Sequence, residues 1–146
     1  MKPLAGGAID DAKLAIKYIL SKDYIDVVIP GMESIEQVRE NVSVLQDTNI
    51  TKDDELKIQE IRNIMGKRFC RRCEYCLPCP LKLNIPQNFL LEGYYARYNL
   101  KDWAKERYKS LEVKASACVE CGLCETKCPY ELPIREMLKE VSSKLG

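Results

Sequence analysis

Two short cysteine tracts constrain this chain more than any other feature. The first runs Cys70-Arg71-Arg72-Cys73-Glu74-Tyr75-Cys76-Leu77-Pro78-Cys79-Pro80. The second runs Cys118-Val119-Glu120-Cys121-Gly122-Leu123-Cys124-Glu125-Thr126-Lys127-Cys128-Pro129. Together they hold all eight cysteines of the 146 residues. Each repeats a thiol at roughly every third position and closes on Cys-Pro, which suits a cuboidal iron–sulfur cluster. Three closely spaced thiolates wrap three irons, and a fourth arrives from elsewhere in the chain. The expected chemistry is electron transfer through two 4Fe–4S clusters.

The second tract has the spacing C-x2-C-x2-C-x3-C-P of bacterial two-cluster ferredoxins, and the first is one residue shorter before its last cysteine. In two-cluster proteins the fourth cysteine of each tract serves the other cluster. On that rule Cys70, Cys73 and Cys76 share a cluster with Cys128, while Cys118, Cys121 and Cys124 share one with Cys79. Structural zinc and disulfides are the rival uses of such thiols. Zinc needs only two C-x2-C pairs, whereas here the pairs overlap into triplets. Lys67, Arg68, Arg71 and Arg72 flank the first tract. They either offset the negative charge of a thiolate-ligated cluster and raise its potential, or form a solvated basic face.

The chain has no histidine, which excludes imidazole acid–base catalysis and any zinc site needing a His ligand. Its net charge of +1 gives no field directed at nucleic acid or an anionic membrane. No apolar run reaches transmembrane length and no signal-peptide pattern opens the chain. A cytoplasmic, reducing setting is therefore expected, where clustered cysteines mean metal or redox chemistry.

The first 50 residues read as alternating strand and helix. Lys2-Pro3-Leu4-Ala5-Gly6-Gly7 is an extended start ending in a glycine turn. Asp10 and Asp11 cap a helix with Ile9, Ala12, Ile16, Ile19 and Leu20 on one face. Tyr24 to Ile29 is a short apolar run rich in β-branched residues, predicted to be a strand buried on both faces. Pro30-Gly31 ends it, and Ser34 with Gln37 opens a helix whose buried stripe is Ile35, Val38, Val42 and Leu45. Such a turn offers backbone N–H groups to an anion at a helix start. Two strand–helix units cannot make a parallel sheet alone, so this part is expected to be a fragment or to complete another chain.

Residues 51–68 read as a connecting helix with a Thr51/Asp54 capping box and the stripe Ile58, Ile61, Met65, ended by Gly66. The 38 residues between Cys79 and Cys118 show no strand alternation and read as two or three helices. Tyr94, Tyr95, Tyr98, Trp103 and Tyr108 lie there, as core or as an electron relay. Pro133 opens a last helix with Ile134, Met137, Leu138, Val141 and Leu145 inward. Residues 69–146 are thus expected to form an all-helical domain.

Val28-Ile29-Pro30-Gly31 and Val38-Arg39-Glu40-Asn41 resemble the last barrel strand and helix of aldo/keto reductases. Lys2 to Gly7 resembles an earlier strand end of that barrel. Cys73 to Pro80, Cys121 to Glu125 and Leu132-Pro133-Ile134-Arg135-Glu136 resemble the C-terminal extension of the iron–sulfur branch of the family. The helical spacer is similar to α-helical ferredoxin domains. The resemblance implies a mainly α chain: an incomplete βαβα remnant of a (β/α)8 barrel at 1–50, a connecting helix at 51–68 and an α-helical dicluster ferredoxin-like domain at 69–146. It implies an NAD(P)H-dependent oxidoreductase parent whose catalytic Asp, Tyr, Lys and His have no counterparts here, so the chain alone is expected not to reduce carbonyls. It places Glu40 and Asn41 against adenine, and Pro30, Gly31 and Met32 near the adenosine phosphate. NADP or NAD would bind only in a complete barrel. Where the family often has Lys-Ser and Arg, this chain has Gly31-Met32 and Gln37. The implied partners are the remainder of the barrel or a redox partner protein, with no nucleic acid and no membrane.

Overall fold

A computed structural model describes residues 9–146, which divide along the chain between Ile64 and Met65 into two compact units. The extended start read at Lys2 to Gly7 lies outside the described residues. All regular structure among those residues is helical, and no helix among them is long and apolar enough to cross a membrane.

In the first unit, helix α1 spans Ala12–Leu20. The Asp11 carboxylate caps it by accepting from the Leu14 N–H at 2.9 Å. Leu14, Ala15 and Ile16 are buried, and they are covered in part by the 3-10 turn Val44–Gln46 with its buried Val44. Helix α2 spans Ile35–Ser43. Ser34 Oγ accepts from the Gln37 N–H at 3.3 Å, and Gln37 Oε1 accepts in return from the Glu33 N–H at 2.7 Å. The capping box is therefore closed one residue earlier than the usual pattern. Helix α3, Lys52–Met65, opens on the expected box: Thr51 N–H donates to Asp54 at 3.0 Å and Asp54 N–H to Thr51 Oγ1 at 3.1 Å. The Thr51 amide holds the Asp54 carboxyl below its ordinary pKa, with the Thr51 hydroxyl and Lys17 adding to the effect. Lys17 ties α1 to the loop after the 3-10 turn, donating to the Asn49 carbonyl at 3.3 Å with Asp47 at 3.7 Å. Arg62 reaches back from α3 to the Tyr18 hydroxyl at 3.0 Å.

Two expectations are corrected in this unit. Tyr24 to Ile29 is not a strand buried on both faces. After a turn it runs irregularly, and Tyr24, Val27 and Ile29 are 83%, 71% and 64% exposed. A strand is completed by a neighbour that takes up its N–H and C=O groups; no strand exists among the described residues, so no βαβα remnant forms there. The α2 stripe Ile35, Val38, Val42 and Leu45 is likewise exposed rather than buried. Its helical period is real, but nothing among the described residues of this unit covers it.

In the second unit, α4 (Ile85–Ala96) packs on α5 (Lys101–Lys109) and on α7 (Ile134–Leu145), with a 3-10 turn at Ala115–Ala117 against α7. The short helix α6, Leu123–Thr126, lies inside the second cysteine tract. Asn84 caps α4 by accepting from the Gln87 N–H at 3.1 Å, and Pro86 sits in the first turn where no N–H is needed. The core joins Leu83, Ile85, Phe89, Leu91, Ala104, Tyr108 and Leu132 to the five α7 residues read from the sequence as its inner face. Tyr94 packs against this core and edge-on to Trp103 at 5.0 Å, whereas Tyr98 is exposed.

Tyr108 fixes the approach to the second tract. Its ring is buried and its hydroxyl accepts from the Ala115 N–H at 3.0 Å, just ahead of Cys118. Tyr108→Phe keeps the ring and strands a buried donor, a loss of about 1–3 kcal/mol. Urea denaturation followed by circular dichroism checks this; an unchanged midpoint would show that the bond contributes nothing.

Candidate metal centre

The two cysteine tracts are built alike. In the first, the residues on either side of the middle cysteine, Arg72 and Glu74, have φ of 57° and 67°. In the second, the equivalent residues around Cys121, Glu120 and Gly122, have φ of 56° and 78°. The match continues past the closing cysteines: Lys82 and Glu131, each three residues on, have φ of 57° and 50°. Each then leads through a buried leucine (Leu83, Leu132) to a buried isoleucine (Ile85, Ile134) that begins a core helix. The domain is thus two copies of one unit: tract, left-handed turn, helix.

Left-handed backbone is costly for any residue but glycine and persists where the surroundings demand it. Alternating the hand along a short loop turns successive N–H groups to one side, making a concave nest for an anion. The first tract already shows the inward turn, the Arg72 N–H donating to Cys70 Sγ at 3.4 Å. A thiolate-ligated cluster is such an anion, so the backbone fits the group that the cysteine spacing implies.

Five of the thiols line one cavity, and the others lie near its Cys76 edge. A cavity of about 120 Å³ is lined by Cys79 together with Cys118, Cys121 and Cys124, with Cys76 at its wall. Leu83, Ile85 and Leu138 give it an apolar floor, and Leu81, Val119 and Leu123, all substantially exposed, form its rim. Cys70 has the Cys73 and Cys128 thiols and the Arg72 guanidinium near it, and Cys76 has the Cys70, Cys124 and Cys73 thiols. Burial pushes the Cys76 thiol up to about 11, with the neighbouring sulfurs adding to the effect. Burial likewise raises Cys70 and Cys124. All eight cysteines are free thiols, which leaves no disulfide among them. No three of the described Cys, Asp or Glu side chains converge tightly enough to hold a single metal ion.

The flanking cations divide. Arg68 is drawn away to α7, donating to Glu136 at 2.9 Å and to Glu140. Arg71 lies on the Tyr130 ring, 3.9 Å from its centre, and the Lys67 side chain lies outside the described part of the chain. Glu125, beside Cys124, accepts from the Arg135 backbone N–H and Nε, both at 2.9 Å, binding α6 to the start of α7. Arg135 holds the Glu125 carboxyl below its usual range.

The six residues proposed to meet a nucleotide, Pro30, Gly31, Met32, Gln37, Glu40 and Asn41, lie in the loop before α2 and along that helix, on its largely exposed surface. The loop follows irregular chain rather than a strand end. None of the six lines the open cavity of about 610 Å³ in this unit, which is bounded by Tyr18, Lys22, Asn49 and Arg62 among others.

Residues 69–133 match the family model described as a 4Fe-4S dicluster domain. That stretch contains all eight cysteines, and the match supports iron–sulfur binding and electron transfer by this part of the chain. No curated protein and no solved structure matches the chain.

Proposed function

We propose that this chain is an electron-transfer module that holds two 4Fe–4S clusters by crossed ligation. One set is Cys70, Cys73, Cys76 and Cys128; the other is Cys118, Cys121, Cys124 and Cys79. The observation that carries this reading is the cavity in which Cys79 of the first tract, with Cys76 beside it, stands among three cysteines of the second. The matched left-handed residues support it, since they prepare both tracts for the same kind of anion. The clusters supply single-electron storage when bound. The chain supplies the thiolates, the inward-facing amides and an apolar enclosure that limits water.

We infer a wider setting from the resemblance in sequence: an aldo/keto reductase-like oxidoreductase, using NADP or NAD, from which the module takes or to which it gives electrons. The exposed apolar residues between Tyr24 and Leu45 are consistent with a surface covered by the remainder of a barrel or by a redox partner protein. In that setting Pro30, Gly31, Met32, Gln37, Glu40 and Asn41 would approach the nucleotide only once a barrel is complete.

Anaerobic purification tests the central reading. A brown protein with about eight irons, reducible as seen by electron paramagnetic resonance, is expected from two cubanes. A colourless protein that takes up stoichiometric zinc and no iron after anaerobic reconstitution overturns it.

A further inference from the structure

The two repeats carry different side chains at equivalent places beside their cysteines. Arg71 and Arg72 precede Cys73, whereas Val119 and Glu120 precede Cys121. Tyr130 stands two residues after Cys128, and Leu81 two residues after Cys79. In the half containing Cys70 and Cys128, Arg71 and Tyr130 form a contact between the tracts, guanidinium carbon to ring centre 3.9 Å. In the half containing Cys79, the equivalent residues Val119 and Leu81 both line the cavity and bring no charge. The charged groups around that cavity are paired: Arg135 with Glu125 at 2.8 Å, and Lys139 with Glu120 at 2.8 Å. The duplication therefore places a cation held on an aromatic ring at one centre and an aliphatic pair at the other.

A thiolate-ligated cluster becomes more negative when it takes an electron, and a fixed cation close by favours that form. We propose that Arg71, positioned by Tyr130, makes the centre of Cys70, Cys73, Cys76 and Cys128 the first of the two to be reduced. This rests on the crossed ligand set proposed above. One electron from an external one-electron donor is held at that centre, and a second enters the Val119/Leu81 centre only at lower potential. The module thus has a direction: its two centres are unequal although their frames are alike. Arg71 acts as a positioning residue for charge and is not a ligand.

Potentiometric titration of the full chain with dithionite, followed by electron paramagnetic resonance, reads this out. Wild type should show two separate reduction waves. Arg71→Val, which copies the residue of the second repeat, should lower the upper wave and leave the lower one in place. Val119→Arg should raise the lower wave and leave the upper one in place. Both positions are exposed, so iron content measured beforehand should match wild type. An upper wave unmoved by Arg71→Val, or a shift confined to the lower wave, overturns the proposal. If Arg71→Val loads less iron, Val119→Arg still decides, because an unmoved lower wave overturns it equally. A wild-type protein with no reducible centre would instead remove the two-cluster reading itself.

Discussion

Cys79→Ser is expected to remove about half of the bound iron while leaving one cluster reducible. The informative measurement is the pair of double variants. If Cys79 serves the cluster of the second tract, Cys79→Ser combined with Cys121→Ser damages one site twice, and about four irons remain. Combined with Cys73→Ser it damages both sites, and almost no iron remains. Ligation confined within each tract predicts the reverse pattern. The cavity that joins Cys79 to Cys118, Cys121 and Cys124 argues for the crossed arrangement. Iron analysis with absorption spectra of the three proteins decides between them.

Leu138→Ala should produce a large loss of stability. Leu138 is 1% exposed, belongs to the core cluster and also floors the thiol cavity. Truncating a leucine so enclosed costs about 2–5 kcal/mol, depending on how far the surroundings collapse. The void would open beside Cys79 and the second tract, so water should reach that centre. The expected result is a lower denaturation midpoint together with faster bleaching of cluster absorbance in air. Faster bleaching at an unchanged midpoint would mean that Leu138 shields the centre without supporting the fold.

How much of this was legible in the sequence depended on whether the signal was local. The Thr51/Asp54 box and the inner face of α7 were readable because capping needs only residues three apart and a helix face only a period. Pairing Cys79 with the second tract follows from the cluster's need for a fourth ligand and stands as a proposal. Tyr24 to Ile29 was misread because its composition suits a buried strand, while a strand exists only with a neighbour. The stripe on α2 showed a helix with an apolar face but not whether anything lies against it. Arg72, Glu74, Lys82, Glu120 and Glu131 carry no sign of left-handed backbone, since glycine is the usual marker and only Gly122 among these turn positions is glycine. The duplication itself is written in the sequence: Cys79-Pro80-Leu81-Lys82-Leu83-Asn84-Ile85 and Cys128-Pro129-Tyr130-Glu131-Leu132-Pro133-Ile134 share C-P-x-x-L-x-I.

Those five charged residues bear on how tightly the domain keeps its iron. Each sits in a backbone conformation that disfavours a side chain by about 1–2 kcal/mol. Across both tracts that is several kcal/mol of distortion, relieved whenever a loop lets go. Part of the free energy of cluster binding goes into holding the loops bent. Retention of iron is therefore governed partly by residues that coordinate nothing: a change from charged residue to glycine at any of them alters metal affinity through the unbound chain. Loading and folding of residues 69–133 are in that sense a single equilibrium, tuned at the turns as much as at the thiols.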